Sequence, residues 1–158
     1  PRDSGLLYYV HGEPGAISGF WPRSIEFQIQ EKDIGDLYPV STQISVNVRQ
    51  ESTNLWIYDP NGFPRLFEKN KRCVKMGDAE KPRGEWNTLD LFCCNGDSVH
   101  VVNGQVMMRL HGARRVDGAE PASLTSGAIS LQTEGAEVFY RNVEIRRIEE
   151  IPAEFDGR

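Results

Sequence analysis

Residues 24–30 read Ser-Ile-Glu-Phe-Gln-Ile-Gln, and this strict alternation of apolar and polar side chains decides the fold class. Successive side chains of a β-strand point to opposite faces, so Ile25, Phe27 and Ile29 face one side together. Such a strand has one side in a core and the other side in contact with water. The polar side chains on the wet side are Glu26, Gln28 and Gln30.

The rest of the chain carries further strand signals. Residues 5–10 are rich in β-formers, and residues 86–110 read as a β-meander of three strands, with turns at residues 95–97 and at Asn103-Gly104. Residues 127–132 and 136–148 predict two more strands, the last with a bulge near residues 141–142.

Three stretches break the strand pattern. Residues 11–22 and 50–84 are rich in glycine and proline and predict long loops, and residues 152–158 predict a frayed tail. Many short strands without a helical period predict an all-β sandwich, with residues 1–151 as a single domain.

Composition excludes several classes of function. The chain has 158 residues and a net charge of −5, and its basic residues are scattered, so nucleic acid is not an expected partner. No apolar run approaches the roughly 20 residues of a membrane-spanning helix. The sequence contains no P-loop, GxGxxG, GxSxG or HExxH motif.

The three cysteines, Cys73, Cys93 and Cys94, show no zinc-ligand spacing. A disulfide from Cys73 to either of the others is possible, and small buried thiols are the interpretation we favour.

The polar side of residues 24–31 could carry chemistry. Glu26 and Gln28 lie side by side on it, and one bulge would bring Glu31 onto the same face. Two carboxyl groups on one wall of a cleft suit sugar chemistry, with one ionised and the other protonated. The alternative is an ordinary solvated strand face.

Four other residues are candidates for the same site. His100 alternates with Val99 and Val101 and is expected on a non-core face, as a base, a metal ligand or a substrate donor, or as a plain exposed histidine. Trp21 could stack on a sugar ring or anchor its loop. Arg141 and Gln132 are polar positions on neighbouring predicted strands that could bind substrate or simply lie at the surface.

Seven segments, in this order, resemble the 3-keto-disaccharide hydrolase family, which has the concanavalin A-like lectin/glucanase fold. The segments are DSGLLYY (3–9), IEFQIQE (25–31), GDLYPVS (35–41), GEWNTLDLF (84–92), HVVNGQVM (100–107), SGAISLQTEG (126–135) and VFYRNVEIRRI (138–148). The resemblance implies a jelly roll of two antiparallel sheets with a sugar cleft on the concave one. It also implies further strands upstream of Asp3, so the domain is expected to be N-terminally incomplete.

The resemblance implies a mechanism as well. Glu26, Gln28 and Glu31 match a Glu-x-Gln-x-x-acid segment of the family, which echoes the Glu-x-Asp-x-x-Glu strand of laminarinase-type glycosidases. Gln28 in place of the central Asp argues against a retaining double displacement. In a 3-keto sugar a base can remove the C2 proton, the C1 group can leave, and water can then add.

Under that mechanism Glu26 or Glu31 is the base or acid, and Gln28 positions the substrate. His100 assists proton transfer or binds a divalent metal together with Glu26, and Arg141 stabilises negative charge. The expected partner is a glycoside or 3-keto-glycoside, and the resemblance suggests an exported bacterial protein. Two alternatives stay open, a non-catalytic carbohydrate-binding module and an acidic strand that holds a structural cation such as Ca²⁺.

Overall fold

The computed structural model describes residues 3–157, which form two antiparallel sheets packed face to face. Positions 1, 2 and 158 of the predicted domain and tail lie outside the described residues. In chain order the elements are β1 (Gly5–His11), β2 (Arg23–Gln28), β3 (Leu37–Val40), β4 (Thr42–Ser52), β5 (Leu55–Tyr58), β6 (Phe63–Glu68), β7 (Leu89–Cys94), β8 (Asp97–Val102), β9 (Gln105–Arg115), β10 (Ala122–Ser123), β11 (Ala128–Leu131) and α1 (Ala153–Asp156).

The smaller sheet has the strand order β11-β1-β2-β3, and the larger has β5-β4-β9-β8-β7, with β6 paired to β4 and β10 to β9. The core lies between the two sheets. Phe27 of β2 and Tyr8 of β1 are buried in it, opposite Ile44 of β4 and Met108 of β9. The predicted all-β sandwich is confirmed.

The local strand predictions were largely correct where sequence neighbours pair. Residues 5–10 and 24–28 are strands, and β7, β8 and β9 form the predicted meander around turns at Asn95 and Asn103. Both asparagines have positive φ, 51° and 50°. A following glycine completes each tight turn, since these residue types tolerate that backbone region.

The prediction of a long loop over residues 50–84 was wrong. This stretch contains β5 and β6, which both pair with β4. Pro64 lies within β6, where it is tolerated because β6 has a paired strand on one side only among the residues described. The proline was therefore a sign of an edge strand and not of a loop.

The prediction of a strand over residues 136–148, with its bulge, was also wrong. This segment forms no strand in the structure, and Phe139, Val143 and Ile145 are exposed. A strand exists only through its hydrogen-bonded neighbour, and no named strand of residues 3–157 pairs with this segment.

Residues 152–157 of the tail are ordered where we expected fraying. Ile151 is buried, and the short helix α1 follows Pro152. The ring of Phe155 stacks on Phe92 with their centroids 4.9 Å apart, and the backbone oxygen of Phe155 accepts a hydrogen bond from Nε of Arg109 at 2.6 Å. The apolar contact therefore holds residues 151–156 against the outer side of the larger sheet.

The three cysteines are free, but only Cys73 is buried, so the favoured interpretation of small buried thiols holds for Cys73 and not for the half-buried Cys93 and Cys94. Cys73 is fully buried, and burial raises the pKa of its thiol well above the usual range. Across residues 3–157, no helix is both long and apolar enough to cross a membrane.

Candidate functional site

The candidate site lies on the face of the smaller sheet that points away from the core. On this face Glu26 of β2 lies between Leu7 of β1 and Tyr38 of β3, because the register pairs Leu7 with Glu26 and Glu26 with Tyr38. Directly opposed residues of antiparallel strands put their side chains on the same face, with Cβ atoms roughly 5 Å apart. The side chains of Glu26 and Tyr38 therefore start from adjacent positions on this face, while the carboxyl group of Glu26 lies over Gly5 of β1.

The row of polar groups continues onto the segment after β6. Leu37 and Cys73 exchange backbone hydrogen bonds of 3.0 and 3.1 Å in an antiparallel bridge, and the amide of Asn70 donates to the oxygen of Pro39. In that register the next opposed pair is Tyr38 and Arg72. Glu26, Tyr38 and Arg72 thus occupy consecutive positions across the sheet on one face, and we name these three residues the polar row.

Two carboxylates fix the guanidinium end of the polar row. Nη2 of Arg72 donates to Oδ1 of Asp33 at 2.6 Å, and Nε donates to Oδ2 of Asp36 at 2.5 Å. The side chain of Asp36 is fully buried, and its second oxygen accepts the amide of Lys75 at 2.8 Å. Burial raises the pKa of Asp36, while Arg72 and the Lys75 amide oppose that effect.

The other end of the polar row is a carboxyl group that has little contact with water. Glu26 is 7% exposed, and its Oε1 is buried without a hydrogen-bond partner. Burial raises the pKa of Glu26 to about 8, and the negative charges of Asp3 and Glu134 add to the effect. Most Glu26 side chains are therefore protonated at neutral pH, and a substantial fraction ionises only near pH 8.

A glycine makes room for this carboxyl group. A Cβ atom on Gly5 would lie 2.5 Å from Oε1 of Glu26 and 2.8 Å from Oε1 of Gln132, so both oxygens occupy the space above Gly5. The Gln132 oxygen is also buried without a partner. Both of these oxygens are hydrogen-bond acceptors, and neither has a donor. A protonated Glu26 carboxyl group could donate to the Gln132 oxygen, which agrees with the raised pKa of Glu26.

The structure gives Gln28 a different task from the predicted one. Gln28 is buried, and its Oε1 accepts hydrogen bonds from the backbone amides of Ile29 at 2.8 Å and Gln30 at 3.0 Å. That oxygen is thereby occupied in holding the turn after β2. Substrate positioning by Gln28 stays a prediction, but it cannot use this oxygen while the turn is formed.

The expected position of Glu31 was wrong. The strand β2 ends at Gln28, and Glu31 lies exposed in the following turn, so no bulge returns it to the face of Glu26. At the end of the strand the side-chain oxygen of Gln28 accepts hydrogen bonds from the next two backbone amides, and the amide of Ile29 also donates to the oxygen of Ser4. Alternation cannot reveal such a local contact.

The expected position of His100 was wrong too. Its side chain is fully buried in the core, where the ring stacks on Phe27 at 4.2 Å with an interplanar angle of 5°. Nε2 lies 2.9 Å from the Tyr8 hydroxyl, and Nδ1 lies 3.2 Å from the oxygen of Gly35. Burial lowers the pKa of His100 to about 3. Both nitrogens have partners within the protein, and the ring has no exposed surface.

The metal site suggested for Glu26 and His100 does not fit the structure. Phe27 points to the core with His100, whereas Glu26 is on the opposite face of the same strand. Among residues 3–157, no group of three or more histidine, cysteine, aspartate or glutamate side chains is arranged to hold a metal ion.

The remaining candidates fall in different places. Gln132 is buried beside Glu26 above Gly5. Trp21 is half-buried and closes its loop by backbone pairing with Ile17. The guanidinium of Arg141 lies 4.0 Å from the centroid of the Trp86 ring, in a wide groove that Glu31 also lines. The proposed substrate contacts of Trp21 and Arg141 stay predictions.

Sequence reasoning missed Gly5, Tyr38 and Arg72. The alternation of residues 36–40 could have indicated that Asp36 and Tyr38 share a face. Arg72 had no local signal, because its place beside Tyr38 depends on pairing between segments more than thirty residues apart.

Fold and site together define a class, a β-sandwich with a buried acid and a polar row on the outer face of its smaller sheet. The chain belongs to a family described as the 3-keto-alpha-glucoside-1,2-lyase-like domain, whose model matches residues 1–146. This confirms the resemblance seen in the sequence. Searches among curated proteins and among solved structures gave no match.

Proposed function

We propose that this protein cleaves the glycosidic bond of 3-keto-glycosides by elimination, with Glu26 as the base that removes the C2 proton. Membership of the lyase-like family supports a glycoside as substrate. The observation that carries the proposal is the buried Glu26 carboxyl group with an unpartnered oxygen and a pKa of about 8.

The reaction needs one base and a route for one electron pair. Glu26 takes the proton from C2, and the C2–H electron pair forms the C2=C3 bond while the C3 carbonyl oxygen becomes an enolate. The enolate then re-forms the carbonyl, the C1–C2 double bond forms, and the C1–O bond breaks. The departing oxygen takes up a proton, and addition of water to the enone completes net hydrolysis.

The raised pKa suits this task. A carboxylate whose conjugate acid has a pKa of about 8 is a stronger base than an ordinary glutamate, and it is still ionised in part near neutral pH. Perturbed acids of this kind cluster at functional sites.

Gln28 of β2 stands where laminarinase-type glycosidases have the central Asp, and this argues against a retaining double displacement. That mechanism requires a second carboxyl group about 5 Å from the first. Gln28 carries an amide there, and Glu31 lies beyond the end of the strand. Elimination avoids a covalent intermediate and so does not need the second group as a nucleophile.

The test is incubation of the protein with a 3-keto-glucoside and, separately, with its unoxidised parent, followed by mass analysis of the products. We expect release of the aglycone and an enone or its hydrate from the keto substrate only, and loss of this activity in Glu26→Gln. Binding of both sugars without any cleavage would overturn the proposal in favour of a carbohydrate-binding module.

A further inference from the structure

The polar row is ordered by charge as well as by position. Its acid end, Glu26, is nearly closed to solvent, whereas the side chain of Arg72 at the other end is 36% exposed. Tyr38 lies between them and is half-buried. Neighbouring strands are separated by about 4.8 Å, so a base and a hydrogen-bond donor sit one strand apart on the same face.

We propose that Tyr38 is a catalytic residue that donates its phenolic hydrogen bond to the C3 oxygen of the enolate, with Arg72 beside it as a positioning residue. This inference rests on the proposed function and extends it by assigning the group that stabilises the anion. Tyr38 is the residue of β3 directly opposed to Glu26, whereas the apolar Leu7 is opposed to it on β1.

The chemistry assigns each atom a place. The C2 carbon and the C3 oxygen of one sugar are separated by only one carbon atom, so a base one strand away from a donor can reach both. Glu26 holds the proton taken from C2, and the electron pair moves to the C3 oxygen. Tyr38 keeps its proton and stabilises the new charge by hydrogen bonding, so no oxidant or further reactant is needed.

Arg72 is fixed in the way that such a role requires. Asp33 and Asp36 hold two of its nitrogens, which prevents the guanidinium from moving as charge develops nearby. The two carboxylates also balance its charge, so Arg72 acts by holding the surroundings of Tyr38 in place while the phenol serves as the preorganised donor. Burial and the negative charges of Asp36 and Asp33 raise the pKa of Tyr38 while Arg72 lowers it, and the phenol stays protonated as a donor at neutral pH.

Arg141 is less well placed for this task. It stacks on Trp86 in an exposed segment without strand pairing, and it is not opposed to Glu26 or Tyr38 in any strand register of residues 3–157. We therefore assign the stabilisation of the anion to the Tyr38 phenol, positioned by Arg72, and not to the arginine indicated by the sequence.

The test compares wild type, Tyr38→Phe and Tyr9→Phe on a 3-keto-glucoside. Tyr9 is the matched control, since its hydroxyl bonds the backbone oxygen of Asp97 on the core side and not the polar row. We expect Tyr38→Phe to lower kcat by about 10²-fold with KM changed less than 3-fold, as for loss of one oxyanion donor. Tyr9→Phe should keep at least half of the wild-type kcat.

A second readout follows the enolate directly. Exchange of the C2 hydrogen for solvent deuterium should slow in Tyr38→Phe by the same factor as cleavage. Arg72→Lys keeps a cation beside the buried Asp36, so the fold should survive. Lysine cannot bind Asp33 and Asp36 through two fixed nitrogens as the guanidinium does, so kcat should fall by about 10-fold.

The outcomes separate the two proposals. No cleavage by wild type would overturn both. Cleavage that is lost in Glu26→Gln but unchanged in Tyr38→Phe would overturn the Tyr38 assignment alone. A Tyr38→Phe variant that keeps its kcat and C2 exchange but binds more weakly would also overturn it, because the phenol would then act in ground-state binding only.

Discussion

The hydroxyl of Tyr8 on β1 donates a hydrogen bond of 2.9 Å to Nε2 of His100 on β8, across the core of the sandwich. The direction is fixed because Nδ1 faces the carbonyl oxygen of Gly35 and must carry the ring proton, which leaves Nε2 as an acceptor. The Tyr8 oxygen in turn accepts from the hydroxyl of Ser98 at 2.9 Å. This chain links the sheet that carries the candidate site to the sheet behind it.

Replacing Tyr8 by Phe should destabilise the fold without removing the base of the reaction. The change leaves Nε2 of His100 buried without a donor, which costs about 1–3 kcal/mol. Urea unfolding at pH 7 measures the loss. Ser98→Ala is the matched comparison, since it keeps the bond between Tyr8 and His100 and should cost less. A Tyr8→Phe variant as stable as wild type would contradict the assigned network.

His100 should make the protein sensitive to acid. Its pKa is about 3 in the folded state and near 6.5 when unfolded, so the unfolded state binds the extra proton between these values. Stability should fall as the pH drops below about 6.5, with a slope of up to about 1.4 kcal/mol per pH unit from this group. His100→Gln should lack that contribution in urea unfolding from pH 7 to pH 4. Parallel curves for the two proteins would be inconsistent with a neutral buried histidine.

Glu26 should have the opposite effect on the alkaline side. Its folded pKa of about 8 lies above the ordinary value of 4.5, so the folded state holds the proton more tightly. Stability should therefore decline as the pH rises from about 4.5 to 8. Glu26→Gln removes the ionisable group at nearly constant shape and should be more stable than wild type at pH 8 in the same assay. Equal stability of the two proteins at pH 5 and at pH 8 would refute the raised pKa.

Gly5→Ala should disturb the site locally. The added Cβ would lie 2.5 Å from Oε1 of Glu26, so the carboxyl group must move. We expect cleavage of a 3-keto-glucoside to fall by about 10-fold or more, because small displacements of a reacting group are costly. Gly118→Ala is the control, since its nearest contact is at 3.7 Å and its activity should match wild type. Full activity in Gly5→Ala would show that catalysis does not require the Glu26 carboxyl group to occupy the space above Gly5.

The sequence predicted what short-range pattern controls. Alternation placed Phe27 in the core and Glu26 on the opposite face, and Asn-Gly pairs located the turns of the meander. Alternation failed for His100 because both faces of β8 are buried. Val99 and Val101 pack against Ile151 on one face, and His100 lies on the other face, which points to the core. A strand covered on both sides cannot be oriented by hydrophobicity alone.

The candidate site was predicted only in part for a related reason. Glu26 and Gln132 were indicated by the sequence, but their meeting above Gly5 depends on the pairing of β1 with β2 on one side and with β11 on the other. The adjacent positions of Tyr38 and Arg72 likewise depend on the backbone bridge between Leu37 and Cys73. Contacts between distant segments are set by the whole fold, which no local period encodes.

The pH dependence of kcat/KM for cleavage of a 3-keto-glucoside, measured for wild type and for Glu26→Gln, shows whether Glu26 is the base. If Glu26 is the base, the wild-type value should rise about tenfold per pH unit below its pKa and level off above about pH 8. The variant should be lower by roughly 10²–10⁴-fold and should lose this ascending limb. A wild-type profile without a rise toward pH 8, or a variant that keeps both the rate and the limb, would contradict the account.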